Sequence, residues 1–210
     1  MVAFVHQLLA RQLSRPSGLL GKLMGRIMTR RSRRLIEWTL ELLDIHPTDN
    51  VLEVGFGPGV SIQLAADHAS QGWVAGIELS ETMLEEAKRL NAEAIAAGRV
   101  ELRQGNANSL PYVDGKFDKV FAVNVHYFWD DPLTALREMK RVMKGGGRIA
   151  LGFVDKKGLE KQKFTKTGLF TLYSGEETAH LLTKAGFSGA RIESKSVHRV
   201  GLGLCAIAQR

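Results

Sequence analysis

Residues 51–59 read VLEVGFGPG, and this stretch decides the fold. An apolar run containing Glu53 leads into three glycines at alternate positions, Gly55, Gly57 and Gly59. Glycine lets the backbone turn tightly and approach a ligand closely, because it carries no Cβ atom. In parallel sheets, ligands bind beyond the carboxyl ends of the strands, which is where this loop would lie. The stretch therefore predicts a buried strand, a ligand-binding turn and then a helix.

The glycine spacing distinguishes between two kinds of nucleotide cofactor. A dinucleotide fingerprint requires glycine at its first, third and sixth positions, and the sixth position here is Val60. Glu53 precedes the first glycine by two residues, where its carboxylate would suit a cationic amino group better than a pyrophosphate. Glu78 ends the second apolar run and can accept hydrogen bonds from ribose hydroxyls in either cofactor class. The spacing thus disfavours a dinucleotide.

Strand and helix patterns alternate five times along the chain, which predicts a mainly parallel sheet wrapped by helices on both faces. Two consecutive strands near residues 190–199 and 201–208 predict a terminal hairpin that adds an antiparallel strand. We expect a helix over residues 81–97. Another helix should be capped by Asp131 with Pro132 at its first position and run to about Met143, where the glycines at 145–147 would end it.

The excess positive charge lies at the start of the chain. The net charge is +7, and residues 1–34 contain eight lysines and arginines but no acidic residue. This predicts an N-terminal helical arm, residues 1–34, attached to a domain of residues 35–210. Apolar residues recur at helical spacing on both sides of the break at 16–18 and make the arm amphipathic. A separate helix is expected from about Ser32.

Four stretches carry a resemblance to a known family: VLEVGFGPG, GIELS, QGNANSLPYVDGKFDKVFAVNVHYFWDDP and MKGGGRI. In order and spacing, the chain resembles class I S-adenosylmethionine-dependent methyltransferases of the type-11 group over residues 33–210, and is similar to quinone-biosynthesis methyltransferases. The resemblance implies a Rossmann-like three-layer αβα sandwich. Its seven-stranded sheet would be mainly parallel with an antiparallel last strand, and N-terminal helices would be added to it.

The resemblance also implies which residues contact S-adenosylmethionine and its product, S-adenosylhomocysteine. The methionine part would face Glu53, the glycine loop and Asn124, while Glu78 would hold the ribose beside Leu79. Asn106 stands where the family often has an acidic residue, and its carbonyl oxygen can still accept a hydrogen bond from adenine. The implied set is Glu53, Gly55, Phe56, Gly57, Gly59, Glu78, Leu79, Asn106, Ala107 and Asn124.

Residues 124–129, NVHYFW, follow the fourth strand and would wall the junction between cofactor and acceptor. Methyl transfer is an in-line displacement, so the protein mainly aligns the acceptor and excludes water. His126 is the candidate general base, because its intrinsic pKa lies near neutrality. Tyr127 is a second candidate catalytic residue. Alternatively, both residues only line the pocket. No spacing of histidines, cysteines and acids predicts a metal site.

The sequence therefore predicts a methyltransferase for a small or lipid-like acceptor, whose acceptor atom and oligomeric state stay open. Two alternatives remain: a non-catalytic S-adenosylmethionine-binding module, and a nicotinamide-dependent oxidoreductase, which Val60 disfavours. No signal peptide or membrane span is predicted, so the expected location is the cytoplasm. The arm is a lid or packed helix, a peripheral contact with the inner face of a membrane, or a nucleic-acid contact that its apolar stripe disfavours.

Overall fold

Seven strands form one sheet that carries the rest of the molecule. A computed structural model describes residues 2–196 and 201–210 of the chain. The strands are β1 Asn50–Val54, β2 Trp73–Glu78, β3 Val100–Gln104, β4 Phe117–Val123, β5 Met143–Val154, β6 Ser188–Lys195 and β7 Gly203–Gln209. In the sheet they follow the order β3-β2-β1-β4-β5-β7-β6. The carboxyl ends of β1, β2 and β4 therefore meet at one edge.

The pairing directions confirm the fold class. β1 pairs in parallel with β2 and β4, and the parallel pairing continues to β3 on one side and β5 on the other. β7 runs antiparallel to both β5 and β6, which confirms the antiparallel last strand and the terminal hairpin. Residues 197–199, at the end of the first expected hairpin strand, lie outside the described residues.

Helices cover both faces of the sheet and bury an apolar core on each. Asp131 accepts a hydrogen bond from the Thr134 amide and starts one helix, and Ser174 with Glu177 forms the capping box of another. The helices are α1 Val2–Ser14, α2 Gly18–Leu43, α3 Val60–His68, α4 Glu81–Leu90, α5 Ala92–Ala96, α6 Pro132–Val142, α7 Lys156–Glu160 and α8 Gly175–Lys184. Short 3₁₀ helices span His126–Phe128 and Lys163–Thr167.

Three expectations about helix ends are wrong. No helix begins near Ser32, because α2 runs without a break from Gly18 to Leu43 and no proline or glycine interrupts its second half. The helix expected over 81–97 is divided at Asn91, whose side-chain amide donates to the carbonyl oxygens of Gly59 and Ala87.

The glycines at 145–147 do not end α6, which already stops at Val142. They lie inside β5, where the pairing with β4 shifts from Phe117–Met143 to Lys119–Arg148. Gly146 has a φ of +76°, a backbone conformation that glycine adopts without strain. The three glycines therefore form a bulge that lets a strand follow a helix directly.

Helix α2 lies across the sheet and contacts β5 at a close approach. The Thr39 side chain is buried and donates a hydrogen bond from Oγ1 to the Leu35 carbonyl at 2.7 Å. A Cβ atom at Gly152 of β5 would overlap Thr39 Oγ1. The division proposed between residues 34 and 35 falls within α2, so the arm continues into this packed half. No helix in the described part of the chain has the length and apolarity needed to cross a bilayer.

We expect Gly152→Ala to lower the free energy of unfolding by about 1–3 kcal/mol, because the added methyl group overpacks the contact with Thr39. Urea unfolding followed by circular dichroism measures the change. Gly145→Ala is the matched control and should change stability by less than about 0.5 kcal/mol, because its Cβ atom would meet nothing within 4 Å. Thr39→Ala combined with Gly152→Ala should cost less than the sum of the two single changes. Additive costs would contradict the contact.

Candidate functional site

Three adjoining cavities lie at the carboxyl ends of β1, β2 and β4, and Phe128 lines all of them. The wide cavity measures about 470 Å³ and extends along Glu78, Leu79 and Asn106. The loop cavity measures about 100 Å³ and lies against Glu53 and residues 55–58. The aromatic cavity measures about 130 Å³ and lies between α2 and the rings of Tyr127, Phe128, Phe164 and Phe170. Together they form a continuous groove over the sheet edge.

The glycine loop after β1 forms as expected. Gly55, Gly57 and Gly59 have φ values of +81°, +53° and +86°, which favour glycine at each position. A Cβ atom at Gly55 would come within 2.5 Å of Val125 Cγ2, and one at Gly59 within 2.6 Å of Ala87 Cβ. Close packing therefore explains two of the glycines, while Gly57 faces open space.

Glu78 joins the glycine loop to the end of β2. Its carboxylate accepts hydrogen bonds from the Gly57 amide at 2.9 Å and from the Ser80 amide at 2.8 Å. Each carboxylate oxygen keeps a further lone pair that can accept a hydrogen bond from a ligand. Burial raises the pKa of Glu78, and the hydrogen bonds from the Ser80 and Gly57 amides oppose that rise.

Glu53 is a buried carboxyl group that lines the loop cavity. Within the described residues, its Oε2 atom has no hydrogen-bond partner. Burial raises the pKa of Glu53 to about 8, the nearby Ser61 hydroxyl partly opposes the rise, and the charge of Glu78 adds to it. Such a group gains stabilisation from a cationic ligand, which would favour its ionised form.

Asn124 directly follows β4 in a left-handed conformation, with a φ of +55°. Asparagine tolerates this region better than most residues do. Its backbone amide donates to the Gly152 carbonyl at 2.8 Å, and its side-chain amide donates to Ser32 Oγ of α2 at 2.9 Å. The Oδ1 atom is buried without a partner among the described residues. Asn124 lies between the loop cavity and the aromatic cavity, so this acceptor adjoins both.

The other implied cofactor residues surround the same groove. Leu79, Asn106 and Ala107 line the wide cavity, and Asn106 Oδ1 accepts a hydrogen bond from the Asn108 amide at 3.0 Å. Phe56 lines the loop cavity with most of its ring in the core. Gly59 stands behind the loop and lines none of the three cavities. The fold therefore brings nine of the ten residues to one groove.

The two candidate catalytic residues, Tyr127 and His126, lie in different surroundings. Tyr127 lines the wide and aromatic cavities, and burial raises the pKa of its hydroxyl. His126 lines none of the three cavities. Its ring lies 4.6 Å from that of Phe153 and 5.3 Å from that of Tyr173, with Nε2 at 3.5 Å from Thr178 Oγ1. Burial lowers the pKa of His126 to about 3, so the ring is neutral at pH 7.

The arm contributes cavity walls that the sequence reasoning did not assign. Ser14 and Arg15 line the wide cavity, and burial raises the pKa of Glu78 while the Arg15 charge opposes a small part of that rise. Ser80 Oγ donates to the Pro16 carbonyl, and Lys22 Nζ lies 3.1 Å from Glu86 Oε1. The charge of the arm was visible in the sequence, but its position over the sheet edge depends on these contacts with α4.

No metal-binding cluster of three or more histidines, cysteines or acids occurs within residues 2–196 and 201–210. Two buried oxygens without a partner among the described residues, Glu53 Oε2 and Asn124 Oδ1, line the loop cavity. They suit a ligand with several hydrogen-bond donors, such as hydroxyl and amino groups.

Comparisons with known proteins agree with this geometry. The family described as a methyltransferase domain, Methyltransf_11, matches residues 52–151. An uncharacterised methyltransferase of Bacillus subtilis (strain 168), YdaC, is 30% identical over 186 residues, which cover 89% of this chain and 97% of the relative. A demethylmenaquinone methyltransferase of Bacillus cereus (strain B4264) is 37% identical over 112 residues, 53% of this chain and 47% of the relative. The chain thus spans about half the length of that second relative.

One similar solved structure is geranyl diphosphate C-methyltransferase from Streptomyces coelicolor A3(2), in complex with Mg²⁺, geranyl diphosphate and S-adenosyl-L-homocysteine. Its TM-score is 0.73 at 16% identity, over 86% of this chain and 80% of that one, a likeness of fold alone. The sequence similarity shows the family as well as the fold, because the match to the Bacillus subtilis methyltransferase YdaC, at 30% identity, covers 97% of that relative. With the family domain beginning in β1 and including the glycine loop, the chain belongs to the S-adenosylmethionine-dependent methyltransferases of the Methyltransf_11 family.

Proposed function

We propose that the protein transfers a methyl group from S-adenosylmethionine to a small or lipid-like acceptor bound in the groove. The observation that carries the proposal is the buried, unpartnered Oε2 of Glu53 beside a glycine loop. A buried carboxyl oxygen without a donor is costly unless a ligand supplies one. Family membership leaves the nicotinamide-dependent oxidoreductase alternative without support.

The residues of the groove fit the cofactor part by part. The free lone pairs of Glu78 would accept hydrogen bonds from the ribose hydroxyls, and Leu79 with Ala107 would flank the adenine beside Asn106. Glu53 Oε2 and Asn124 Oδ1 are the two acceptors lining the loop cavity that are buried without a partner among the described residues, and they would face the amino group of the methionine part. When bound, S-adenosylmethionine supplies a methyl group activated by its sulfonium charge. It needs no further activation from the chain.

The chain itself would align the acceptor and exclude water. Tyr127 and Phe128 line both the wide and the aromatic cavities, so their rings would separate the reacting groups from solvent. The proposed role of His126 as a general base would require its ring to leave the contacts with Phe153 and Tyr173. We therefore propose Tyr127 as the contact with the acceptor. General-base catalysis by His126 stays a proposal for acceptors that must lose a proton, and it would need both this movement and a rise of the pKa of His126 from about 3.

One comparison favours an apolar acceptor, because the Bacillus cereus relative is named for demethylmenaquinone. The aromatic cavity offers a matching environment here, because its wall is formed mainly by hydrocarbon side chains. The acceptor would lie there, next to Asn124 and the methionine part of the cofactor.

The arm, residues 1–34, would serve both as a lid and as a contact with anionic lipid. Its inner side already lines the groove through Leu13, Ser14 and Arg15. Its outer side exposes a set of large apolar residues among arginines, with no acidic residue in the arm. These residues are Phe4, Val5, Leu8, Leu19, Leu20, Leu23 and Ile27. Apolar side chains flanked by cations are typical of helices that lie in a membrane interface.

Incubation with S-adenosylmethionine carrying a labelled methyl group and a total cell extract should place label in the organic phase after extraction. Glu78→Gln should lower both this transfer and the affinity for S-adenosylhomocysteine by about tenfold or more, because a charged hydrogen-bond acceptor is lost. Glu81→Gln, an exposed acid nearby, is the control and should change neither. Label confined to the aqueous phase would exclude the lipid-like acceptor. Binding without any transfer would favour the non-catalytic module.

The affinity for S-adenosylhomocysteine should rise roughly tenfold or more between pH 6 and pH 8. Glu53 has a pKa of about 8 without ligand, so it is mostly protonated below that pH. A cationic amino group binds the ionised carboxylate, so binding below pH 8 must release a proton. Calorimetry in buffers of different ionisation enthalpy measures that release. Glu53→Gln should remove both effects, and an unchanged pH dependence in this variant would contradict the contact.

The protein should sediment with vesicles containing phosphatidylglycerol at low salt and stay in solution with phosphatidylcholine vesicles. Leu19→Gln with Leu23→Gln should weaken this binding about tenfold or more, because two exposed leucines would no longer be buried in the interface. Leu90→Gln, an exposed leucine outside the arm, is the control. No sedimentation with anionic vesicles at low salt would rule out the membrane contact.

A further inference from the structure

One cationic side chain, Arg31, lines the aromatic cavity, and the proposed cofactor site gives it no role. Its wall includes the rings of Tyr127, Phe128, Phe164 and Phe170, whose neighbouring centroids lie 4.7–5.7 Å apart. Arg31 of α2 completes the wall, and no aspartate or glutamate lines this cavity. A guanidinium at the edge of an apolar space attracts an anion, and water on its exposed side screens part of that attraction.

Two of the other arginines on α2 are paired with carboxylates. Arg26 lies 3.5 Å from Glu86, and Arg33 Nε donates to Glu37 at 2.8 Å. Across residues 2–196 and 201–210, no carboxylate lies within salt-bridge distance of Arg31, an exposed side chain that lines the aromatic cavity. Its planar array of donors matches a carboxylate or a phosphate, either of which can accept two parallel hydrogen bonds.

The position of the cavity indicates which ligand would use this arginine. The aromatic cavity shares Ser32, Asn124 and Phe128 with the loop cavity, where the methionine part of the cofactor is proposed to lie. Adenine and ribose are assigned to the wide cavity, which shares only Tyr127 and Phe128 with the aromatic cavity. A ligand in the aromatic cavity would therefore approach from the side of the methyl group.

We propose that Arg31 is a specificity-determining residue that selects acceptors with an apolar body and one acidic group. The acidic group would pair with the guanidinium, and the apolar body would lie among the four rings. The identification of this ligand as the methyl acceptor rests on the proposed function. The anion site itself rests only on Arg31 and the cavity.

Cinnamate and cinnamamide, which share a shape and differ in charge, test the site with protein saturated in S-adenosylhomocysteine. Calorimetric titration should show cinnamate binding about tenfold more tightly than cinnamamide, a difference of about 1.4 kcal/mol. Arg31→Gln should reduce this ratio to about one, and Arg31→Lys should keep part of it. Arg30→Gln, an exposed neighbour that removes the same charge, should keep the full ratio. Thermal unfolding of each variant confirms that it is folded.

Equal binding of the two probes, binding of neither, or a preference that survives Arg31→Gln would overturn the inference. Each of these results with intact S-adenosylhomocysteine binding would leave the methyltransferase proposal standing. A protein that does not bind S-adenosylhomocysteine would count against the proposed function instead, and the ratio measured without it would still decide the role of Arg31. Retention of the labelled methylated product on an anion exchanger at pH 8 is the second expected result. A product that passes through the exchanger would also overturn the proposal.

Discussion

The hydrogen bond from the Gly57 amide to the Glu78 carboxylate, at 2.9 Å, joins the two strand ends on which the groove depends. It fixes the glycine loop after β1 against the end of β2 and holds the Glu78 carboxylate at the groove wall. The loop can make this contact only because its residues adopt left-handed conformations that side chains would disfavour. One bond thereby sets the distance between the proposed ribose site and the proposed methionine site.

Burial disfavours the ionised forms of the two carboxyl groups beside this bond, Glu53 and Glu78. Glu53 and Glu78 both have raised pKa values, because desolvation disfavours two carboxylates so close together. A site of this kind stores unfavourable free energy that a cationic ligand relieves on binding. Strained and desolvated positions persist only where the surrounding structure holds them in place. Here the parallel strands and Asn124, itself left-handed, form that support.

The sheet, its glycine loop and most of the cofactor groove could be predicted from sequence, because the signals for them are local. A run such as residues 51–59 determines a strand and a turn within nine residues. The bulge at Gly145–Gly147 could not be predicted in this way, since glycines after a helix are equally typical of a helix end. The division at Asn91 depends on a hydrogen bond to Gly59, which is distant in sequence. The role of Arg15 as a groove wall and the burial of His126 likewise follow only from packing between distant segments.

The unbroken α2 helix has a mechanical consequence. Its 26 residues extend over about 39 Å, from exposed leucines at one end to Thr39, which is packed against Gly152, at the other. Ser32 lies between these ends and holds the side chain of Asn124. Because the helix is rigid, a tilt that breaks the contacts of its first turns with α4 also moves the Ser32 hydroxyl relative to Asn124. The position of the arm and the binding of a ligand in the groove are then coupled. A surface that draws the arm away weakens ligand binding, and a bound ligand opposes that movement by the same free energy.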